Sequence, residues 1–240
     1  MIRDHEYRHL RGLAALAGAV AHKMNNDLAG ITCNLSMILA DFENGEQPDD
    51  TPELISDALL AAQHAAHLLQ SAFSLFRMDD AECEPIDLNE TLQLVVTSTV
   101  QQDGLDIEIE FDLAATTMSV HSTAERIQRI VAPLLVNAAE SVGPSGRVVV
   151  RSALREAADG DTLDPLEPAT YAVVSIVDSG TGMDPKLGVK AFEPFITTKE
   201  RGRGLGLSVS LALARSHGGT IGMGRPAGGG AELLVWLPLV

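Results

Sequence analysis

Aromatic side chains, cysteines and basic residues are all scarce in this 240-residue sequence. Aromatic residues make up 4% of the chain although 45% of it is apolar, so its core must be built from Leu, Val, Ile and Ala. Such a composition favours close helix–helix packing over a large β-sandwich. The chain is long enough for one large domain or two small ones, each with its own core.

Two cysteines are present, Cys33 and Cys83, and their wide separation gives no metal-ligand spacing. Two reduced thiols in a cytosolic protein are the expectation. No signal peptide is recognisable, and no apolar run approaches the ~18 residues that a membrane-spanning helix requires. We therefore expect a cytoplasmic protein without a membrane segment.

Acidic residues outnumber basic ones by 33 to 17, which gives a formal net charge of −16. This charge repels phosphate backbones and anionic lipid surfaces, so the sequence predicts no binding to nucleic acid or membrane. A local basic cluster remains at Lys199, Arg201 and Arg203. Such a cluster is suited to a small phosphate-bearing ligand.

The first third of the chain has the pattern of a helical hairpin. Apolar residues recur every three or four positions over residues 9–43 and again from Thr51 to about Met78, as in amphipathic helices that pack side by side. The stretch "ENGEQPDDTP" between them combines Gly, Pro and acidic residues and predicts the turn. Two helices bury too little apolar surface alone, so we predict a four-helix bundle formed as a homodimer.

The rest of the chain mixes strand and helix patterns. Apolar or β-branched runs predict strands at "DIEIEF", "GRVVVRSAL", "TYAVVSIVD" and "AELLVWLPL". Helices are predicted over "IDLNETLQLVVTSTV" with Asp87 as the cap, over "STAERIQRIVAPLLVNAAESV" with Ser122 or Thr123 as the cap, and over "GLSVSLALARSHGG". We predict an α+β protein, with the hairpin at residues 1–80 and an α/β sandwich at residues 85–240. The sandwich is expected to have one sheet with helices on one face.

Glycines are concentrated in two segments that suit ligand binding. "DSGTGM" (Asp178 to Met183) follows a strongly apolar strand, and "GRGLGLS" (Gly202 to Ser208) opens a helix. Glycine lets a backbone approach a ligand closely, and N–H groups at a helix N-terminus bind phosphate. Asp178, an acid at a strand end, is suited to accept a hydrogen bond from an exocyclic amine such as that of adenine. Asn137, in a helix, offers an uncharged oxygen suited to Mg²⁺ that is held partly by phosphates.

The segments "LLVNAAESV", "VDSGTGM", "FEPFITTK" and "GRGLGLSVSLALARSHGGTI" follow one another in this order. Together they resemble the GHKL-type ATP-binding domain of the sensor histidine kinases, a fold shared with Hsp90-type chaperones, gyrase B and MutL. The four segments resemble the family's asparagine box, first glycine box, phenylalanine box and second glycine box. The resemblance implies ATP and Mg²⁺ as ligands and Asn137 as a Mg²⁺ ligand.

The resemblance also implies which residues contact ATP. Thr197, Thr198, Lys199 and Arg203 lie in a short lid between Met183 and Gly204 and are expected to contact the β- and γ-phosphates. A solvated polar loop is the alternative for this segment. The full implied set is Asn137, Asp178, Gly180, Gly182, Thr197, Thr198, Lys199, Gly202, Arg203, Gly204, Leu205 and Gly206.

The stretch "AHKMNNDL" resembles the phosphoacceptor box of the same family, A-H-E-x-x-N-P-L. This implies that His22 is the nucleophile and that Asn26 orients a water that hydrolyses the partner's phosphoaspartate. With ~100° of rotation per residue, His22 lies opposite Val20 and Met24 on the helix and is predicted to face solvent. A neutral imidazole nitrogen is a good nucleophile near pH ~7. A solvated surface histidine is the alternative.

Three positions depart from the family pattern. Lys23 follows the histidine where the family has Glu or Asp, and a cation cannot take the ring's proton. Asp27 replaces the proline of the box, which predicts a straighter helix. Pro133 stands four residues before Asn137, where the family has Asn or Glu, and it supplies no side-chain ligand and breaks a helical hydrogen bond.

The resemblance implies a two-component histidine kinase that autophosphorylates His22 with ATP and passes the phosphoryl group to a response-regulator aspartate. No sensor region is recognisable, so the input is expected from a separate sensor protein or from a longer parent chain. Three alternatives stay open. Lys23 and Pro133 favour a histidine phosphotransferase or response-regulator phosphatase with a degenerate kinase core. A non-catalytic nucleotide-sensing scaffold is the second, and an anti-sigma-type serine kinase, which does not need the hairpin, is the third.

Overall fold

The computed structural model of the chain describes residues 2–45, 50–76, 82–157, 162–183, 187–197, 204–226 and 228–240. The chain divides into two compact units, one of residues 6–78 and the other mainly of residues 79–240. Across the described ranges, every helix is too short or too polar to cross a membrane.

The first unit consists of two long helices, α1 (Ile2–Glu43) and α2 (Thr51–Phe76). The prediction that α1 begins at residue 9 is wrong by about two turns. The segment before residue 9 lacks an apolar stripe, but it also lacks Gly and Pro, so nothing in it stops the helix.

Each helix of this hairpin carries a stripe of buried and half-buried residues at steps of three and four. The Asn34 amide Nδ2 donates to the Leu54 carbonyl oxygen at 3.5 Å, so the stripes face each other across the pair. Small alanines on α2 permit a close approach of the two helices. The stripe residues are Val20, Met24, Asp27, Ile31, Asn34, Ile38 and Asp41 on α1 and Thr51, Leu54, Ala58, Ala61 and Ala65 on α2.

The second unit begins with a strand and alternates strands and helices. Its elements are β1 (Glu84–Asp87), α3 (Leu88–Asp103), β2 (Ile107–Asp112), β3 (Ser119–Ser122), α4 (Ala124–Val142), β4 (Gly146–Glu156), β5 (Thr170–Asp178), a short 3-10 helix (Gly188–Phe192), α5 (Gly206–Ser216), β6 (Thr220–Gly224) and β7 (Glu232–Pro238). The predicted fold class, a helical hairpin followed by a GHKL-type α/β sandwich, is confirmed.

The strands form two sheets rather than the single predicted one. Five strands lie in the order β2-β4-β5-β7-β6, with β2 parallel to β4 and the other neighbours antiparallel. The remaining two, β1 and β3, pair with each other in an antiparallel ladder. β1, β3 and β6 span only four or five residues each, too few for an alternating pattern to stand out from a loop.

The main core fills the space between the five-stranded sheet and α3, α4 and α5, which lie on one face of it. The predicted caps are confirmed: the Asp87 carboxylate accepts from the backbone N–H groups of Asn89 and Glu90, and Thr123 accepts from that of Arg126. α4 continues through Pro133 over its full 19 residues. The packing of α4 on the sheet therefore outweighs the one hydrogen bond that the proline removes.

The opposite face of the sheet is partly covered by the connection between β4 and β5. Tyr171, Val173, Leu234 and Trp236 are buried there, with Leu166 of the connection packed against them. The connection is anchored because the Asp164 carboxylate accepts from the Arg215 Nε and Nη2 atoms at 2.8 Å each and from the Thr220 hydroxyl at 2.6 Å. The sheet is thus shielded on both faces near β5 and β7.

His217 ties the C-terminal end of α5 to β3. Its Nε2 atom lies 3.0 Å from the Ser122 Oγ atom, and its Nδ1 atom lies 2.9 Å from the Leu213 carbonyl oxygen. Burial lowers the pKa of His217, the hydrogen bond to Leu213 opposes this shift, and the positive charge of Arg126 reinforces it. The neutral ring donates from Nδ1 to Leu213 and accepts from the Ser122 hydroxyl at Nε2.

We predict that His217 makes the protein less stable in mild acid. Because its pKa is lowered in the folded state, the unfolded chain binds the proton more readily, so the stabilisation is complete above the ordinary pKa of 6.5 and is lost as the pH falls below it. The free energy of unfolding is measured in urea at about pH 7.5 and about pH 5.5. His217→Gln should flatten the difference between the two pH values.

The matched control is His121→Gln. His121 is exposed on β3, one residue from Ser122, and its replacement should keep the wild-type difference between the two pH values. Equal behaviour of the two variants would contradict the assignment of this pH dependence to His217.

Candidate functional site

The carboxylate of Asp178 lies buried at the end of β5, with 5% of the residue exposed. Its Oδ1 atom accepts from the backbone N–H of Gly180 at 2.9 Å, the backbone N–H of Ala231 at 3.3 Å and the Ser141 hydroxyl at 3.3 Å. The Asp178 N–H in turn donates to the Ala231 carbonyl oxygen at 3.0 Å. One carboxylate oxygen is therefore held by three chain segments, and none of the described residues donates to the other, Oδ2.

Glycines make this convergence possible. A Cβ on Gly180 would lie 2.2 Å from the Ser141 Oγ atom, and a Cβ on Gly230 would lie 1.9 Å from the Asp178 carbonyl oxygen. Gly182 has a φ of +76°, and a Cβ there would lie 2.8 Å from the Gly230 carbonyl oxygen. Side chains at these three positions would push the segments around Asp178 apart.

One face of α4 connects the two glycine segments. Pro133, Asn137 and Ser141 are spaced four residues apart and so lie along this face. Pro133 is at one end, where its Cβ would be 3.3 Å from a Cβ on Gly206, and Ser141 is at the other, against Gly180. Asn137 is half-buried between them. The structure thus brings the candidate residues Asn137, Asp178, Gly180 and Gly206 to one side of the unit.

The second glycine segment shapes the N-terminal end of α5. Gly204 has a φ of +65°, and a Cβ there would lie 2.5 Å from the Phe195 backbone carbon. The Phe195 N–H donates to the Gly204 carbonyl oxygen at 2.8 Å. No side chain of the described residues caps the first turn of α5, whose N–H groups point out of the helix end. Leu205 is buried, so its side chain serves packing.

The predicted lid is only partly described. Thr197 is exposed at its start. The predicted phosphate contacts Thr198, Lys199, Gly202 and Arg203 lie outside the described residues. Their roles stay predictions.

His22 and Asn26 belong to the helical hairpin. His22 is exposed on α1, whereas Val20 is buried and Met24 is half-buried, as the helical periodicity predicts. Asn25 and Asn26 are also exposed, and Lys23 and Asp27 are half-buried. The face of α1 that carries His22 and Asn26 is therefore accessible within the hairpin.

The sequence did not predict three of the groups that contact Asp178. The Ser141 hydroxyl and the backbone groups of Gly230 and Ala231 all meet Asp178 across separations of 37 residues or more. No local pattern marks such contacts. The run of three glycines before Ala231 was the available signal, because it lies directly before the strand pattern of β7.

Residues 122–240 match the family described as histidine kinase-, DNA gyrase B-, and HSP90-like ATPase. The chain is 29% identical over 233 residues to sensor kinase CckA of Brucella abortus, covering 95% of this chain and 24% of CckA. It is 30% identical over 238 residues to sensor histidine kinase ZraS of Klebsiella oxytoca, covering 96% of this chain and 47% of ZraS. The chain thus spans 24% of the length of CckA and 47% of the length of ZraS.

Among solved structures, histidine kinase ThkA in complex with response regulator protein TrrA superposes with a TM-score of 0.61 at 22% identity. The match covers 99% of this chain and 65% of ThkA, and it shows that the fold is shared. Residues 122–240 thus match the histidine kinase-, gyrase B- and HSP90-like ATPases, and the similarity over almost the whole chain supports a sensor histidine kinase catalytic core.

We predict that Gly230→Ala damages the Asp178 site. The added Cβ would meet the Asp178 carbonyl oxygen at 1.9 Å, at a φ of +85° that side chains rarely adopt. The expected loss is about 1–3 kcal/mol in the free energy of unfolding, together with weaker nucleotide binding. Urea unfolding and titration with a fluorescent ATP analogue measure the two effects.

Gly228→Ala is the control for this prediction. A Cβ on Gly228 meets nothing within 4 Å, so this variant should behave like the wild type. Equal losses in the two variants would show that the glycine run needs general flexibility rather than close approach to Asp178.

Proposed function

We propose that the chain is an ATP-dependent protein-histidine kinase that phosphorylates His22 and passes the phosphoryl group to an aspartate of a response-regulator receiver domain. The observation that carries the proposal is the face of α4 that links the buried Asp178 to the N-terminus of α5, where the described residues supply no side-chain cap. A buried acceptor at one end and free N–H groups at the other suit the two ends of a nucleoside triphosphate.

The proposed ATP site uses each part of this arrangement. The free Oδ2 atom of Asp178 accepts from the exocyclic amine of adenine. The triphosphate lies toward Gly204 and Gly206, where the N–H groups of the first turn of α5 donate to phosphate oxygens. The lid residues Thr197, Thr198, Lys199, Gly202 and Arg203 complete the phosphate contacts in this proposal, together with the backbones of Gly182 and Leu205.

Asn137 is the proposed protein ligand for Mg²⁺. Its position midway along the α4 face, between the two glycine segments, would let its amide oxygen hold an ion beside the proposed phosphate site. Pro133 supplies no oxygen from its side chain, so water and phosphate must complete the coordination, as is usual for Mg²⁺. When bound, the ion neutralises charge that develops on the transferring phosphoryl group.

The proposed chemical step is an attack by a ring nitrogen of His22 on the γ-phosphorus of ATP. The new P–N bond forms as the bond from the γ-phosphorus to the bridging oxygen breaks, and ADP leaves. The ring proton passes to water, because the position after His22 holds Lys23 rather than an acid. The positive charge of Lys23 attracts the phosphate.

The receiver domain is the proposed second substrate. ThkA, which shares this fold, was solved with a response regulator protein. Exposed Asn26 lies one helical turn beyond His22 and is proposed to orient a water that hydrolyses the receiver's phosphoaspartate. The input is proposed to come from a separate sensor protein or another part of a longer chain. Because the proposed reaction uses ATP, the cytoplasm is its proposed location.

Dimerisation is proposed from apolar residues that the hairpin leaves exposed. On α2 a second stripe at steps of three and four points away from α1, and on α1 three large side chains recur every seven residues. Two such surfaces bury each other in a four-helix bundle. The exposed residues are Ile55, Leu59, Ala62, Ala66 and Leu69 on α2 and Leu28, Leu35 and Phe42 on α1.

We predict that Leu59→Glu prevents dimerisation. Leu59 is 58% exposed in the single chain, and a carboxylate there would be buried without a partner in the proposed bundle. Light scattering after size-exclusion chromatography should give a dimer for the wild type and a monomer for the variant. Leu94→Glu, at a 71% exposed leucine of α3, is the control and should remain dimeric. A wild-type monomer would refute the bundle.

We predict that the chain incorporates label from γ-³²P-ATP and that His22→Ala abolishes it. The labelled product should be acid-labile and base-stable, as expected for a phosphohistidine. His121→Ala, at an exposed histidine of the other unit, should label like the wild type. Chasing with a purified receiver domain should then remove the label from the kinase.

Two results would redirect the assignment. Label that persists in His22→Ala would show that another residue is the acceptor. Absence of label in a wild-type protein that binds ATP would favour the scaffold reading, or the phosphotransferase or phosphatase reading suggested by Lys23 and Pro133. Back-transfer from a phosphorylated receiver to His22 would identify a phosphotransferase, and release of phosphate from the receiver would identify a phosphatase, since a scaffold does neither.

A further inference from the structure

Ser141 supplies the side-chain donor among the three groups that hold Asp178 Oδ1. The other two donors, at Gly180 and Ala231, belong to the backbone and are present whatever the side chains are. Ser141 also lies on the α4 face of Asn137, one turn further along. Of the three donors to Oδ1, the Ser141 hydroxyl is therefore the one that a side-chain substitution can remove.

We propose that Ser141 is a positioning residue that sets the preference of the nucleotide site for a purine carrying an exocyclic amine, an inference that rests on the proposed ATP site. Ser141 acts through Asp178: by occupying Oδ1 it leaves Oδ2 as the acceptor that faces the ligand. A fixed acceptor binds an amine donor and gains no hydrogen bond from the carbonyl oxygen that a 6-oxo purine presents at the same place.

The packing around Ser141 supports a dedicated role. Gly180 leaves room for the Ser141 hydroxyl, since a Cβ at residue 180 would lie 2.2 Å from Oγ and 2.5 Å from the Ser141 carbonyl oxygen. Ser141 is half-buried, so its hydroxyl is partly withdrawn from competing water. At this site the Ser141 hydroxyl donates to Asp178 Oδ1 at 3.3 Å, in a space that the missing side chain of Gly180 leaves open.

Loss of the hydroxyl is expected to free the carboxylate. Rotation about the terminal torsion of an aspartate is broad and roughly two-fold, so two backbone donors hold it less firmly than three donors from three directions. A rotating carboxylate presents a poorer acceptor to the amine of ATP. Inosine triphosphate has a carbonyl oxygen in that place and makes no such hydrogen bond. Its affinity therefore does not depend on how firmly the carboxylate is held.

The test is equilibrium binding of ATP and inosine triphosphate to the full chain by titration calorimetry. The wild type should prefer ATP. Ser141→Ala should weaken ATP binding about tenfold and leave inosine triphosphate within about twofold, so the preference ratio falls. Ser141→Thr keeps the hydroxyl and should retain the ratio. Ser98→Ala removes a helix hydroxyl of α3 that bonds to the Val95 carbonyl oxygen, and it should change neither affinity.

The outcomes separate this inference from the proposed function. A purely structural role for Ser141 would weaken both nucleotides equally and leave the ratio unchanged, which would overturn the inference while the kinase proposal stands. A wild-type ratio in Ser141→Ala, with both affinities intact, would overturn it in the same way. A wild type that binds neither nucleotide would overturn the inference and the ATP site together, and the labelling of His22 would then also fail.

Discussion

The burial of one carboxylate constrains the whole second unit. A charged group withdrawn from water is costly unless hydrogen bonds replace its solvent, and Asp178 obtains them from α4, from the loop after β5 and from the start of β7. These segments are distant in sequence. The carboxylate therefore gains all three hydrogen bonds only when the strands have paired in the native order and α4 has packed on the sheet. The glycines at residues 180, 182 and 230 follow from the short distances this requires.

The packing around Pro133 explains why a proline is accommodated at this position of α4. In the family pattern its position carries a polar side chain, yet here it packs against the first residue of α5, where a Cβ on Gly206 would lie only 3.3 Å away. The ring therefore acts as an apolar spacer between α4 and the second glycine segment. The ligand that the family places there is replaced by packing that fixes how α5 starts.

Long elements with a strong pattern were predictable, whereas short elements and contacts between distant segments were not. β5 and β7 are continuous apolar runs and α4 has clear cap and stripe signals, so local sequence identified them. β1 and β3 become strands because they pair with each other, and their paired residues lie 32 to 38 positions apart in the sequence, too far for a local pattern to show. The motifs singled out Asp178 and its neighbouring glycines, but Ser141 and Ala231 enter only once the chain has folded, because their link to Asp178 depends on the sheet.

The two ends of α5 are built very differently. At the C-terminal end, Arg215 is held by Asp164, His217 is joined to Ser122, and the adjoining Thr220 also bonds to Asp164. At the N-terminal end, the helix starts from glycines, and no side chain in the described part of the chain caps it. Opening free energies within one protein follow such differences in local contacts. Hydrogen exchange along α5 should therefore be slowest at its anchored C-terminal end and fastest at its glycine end.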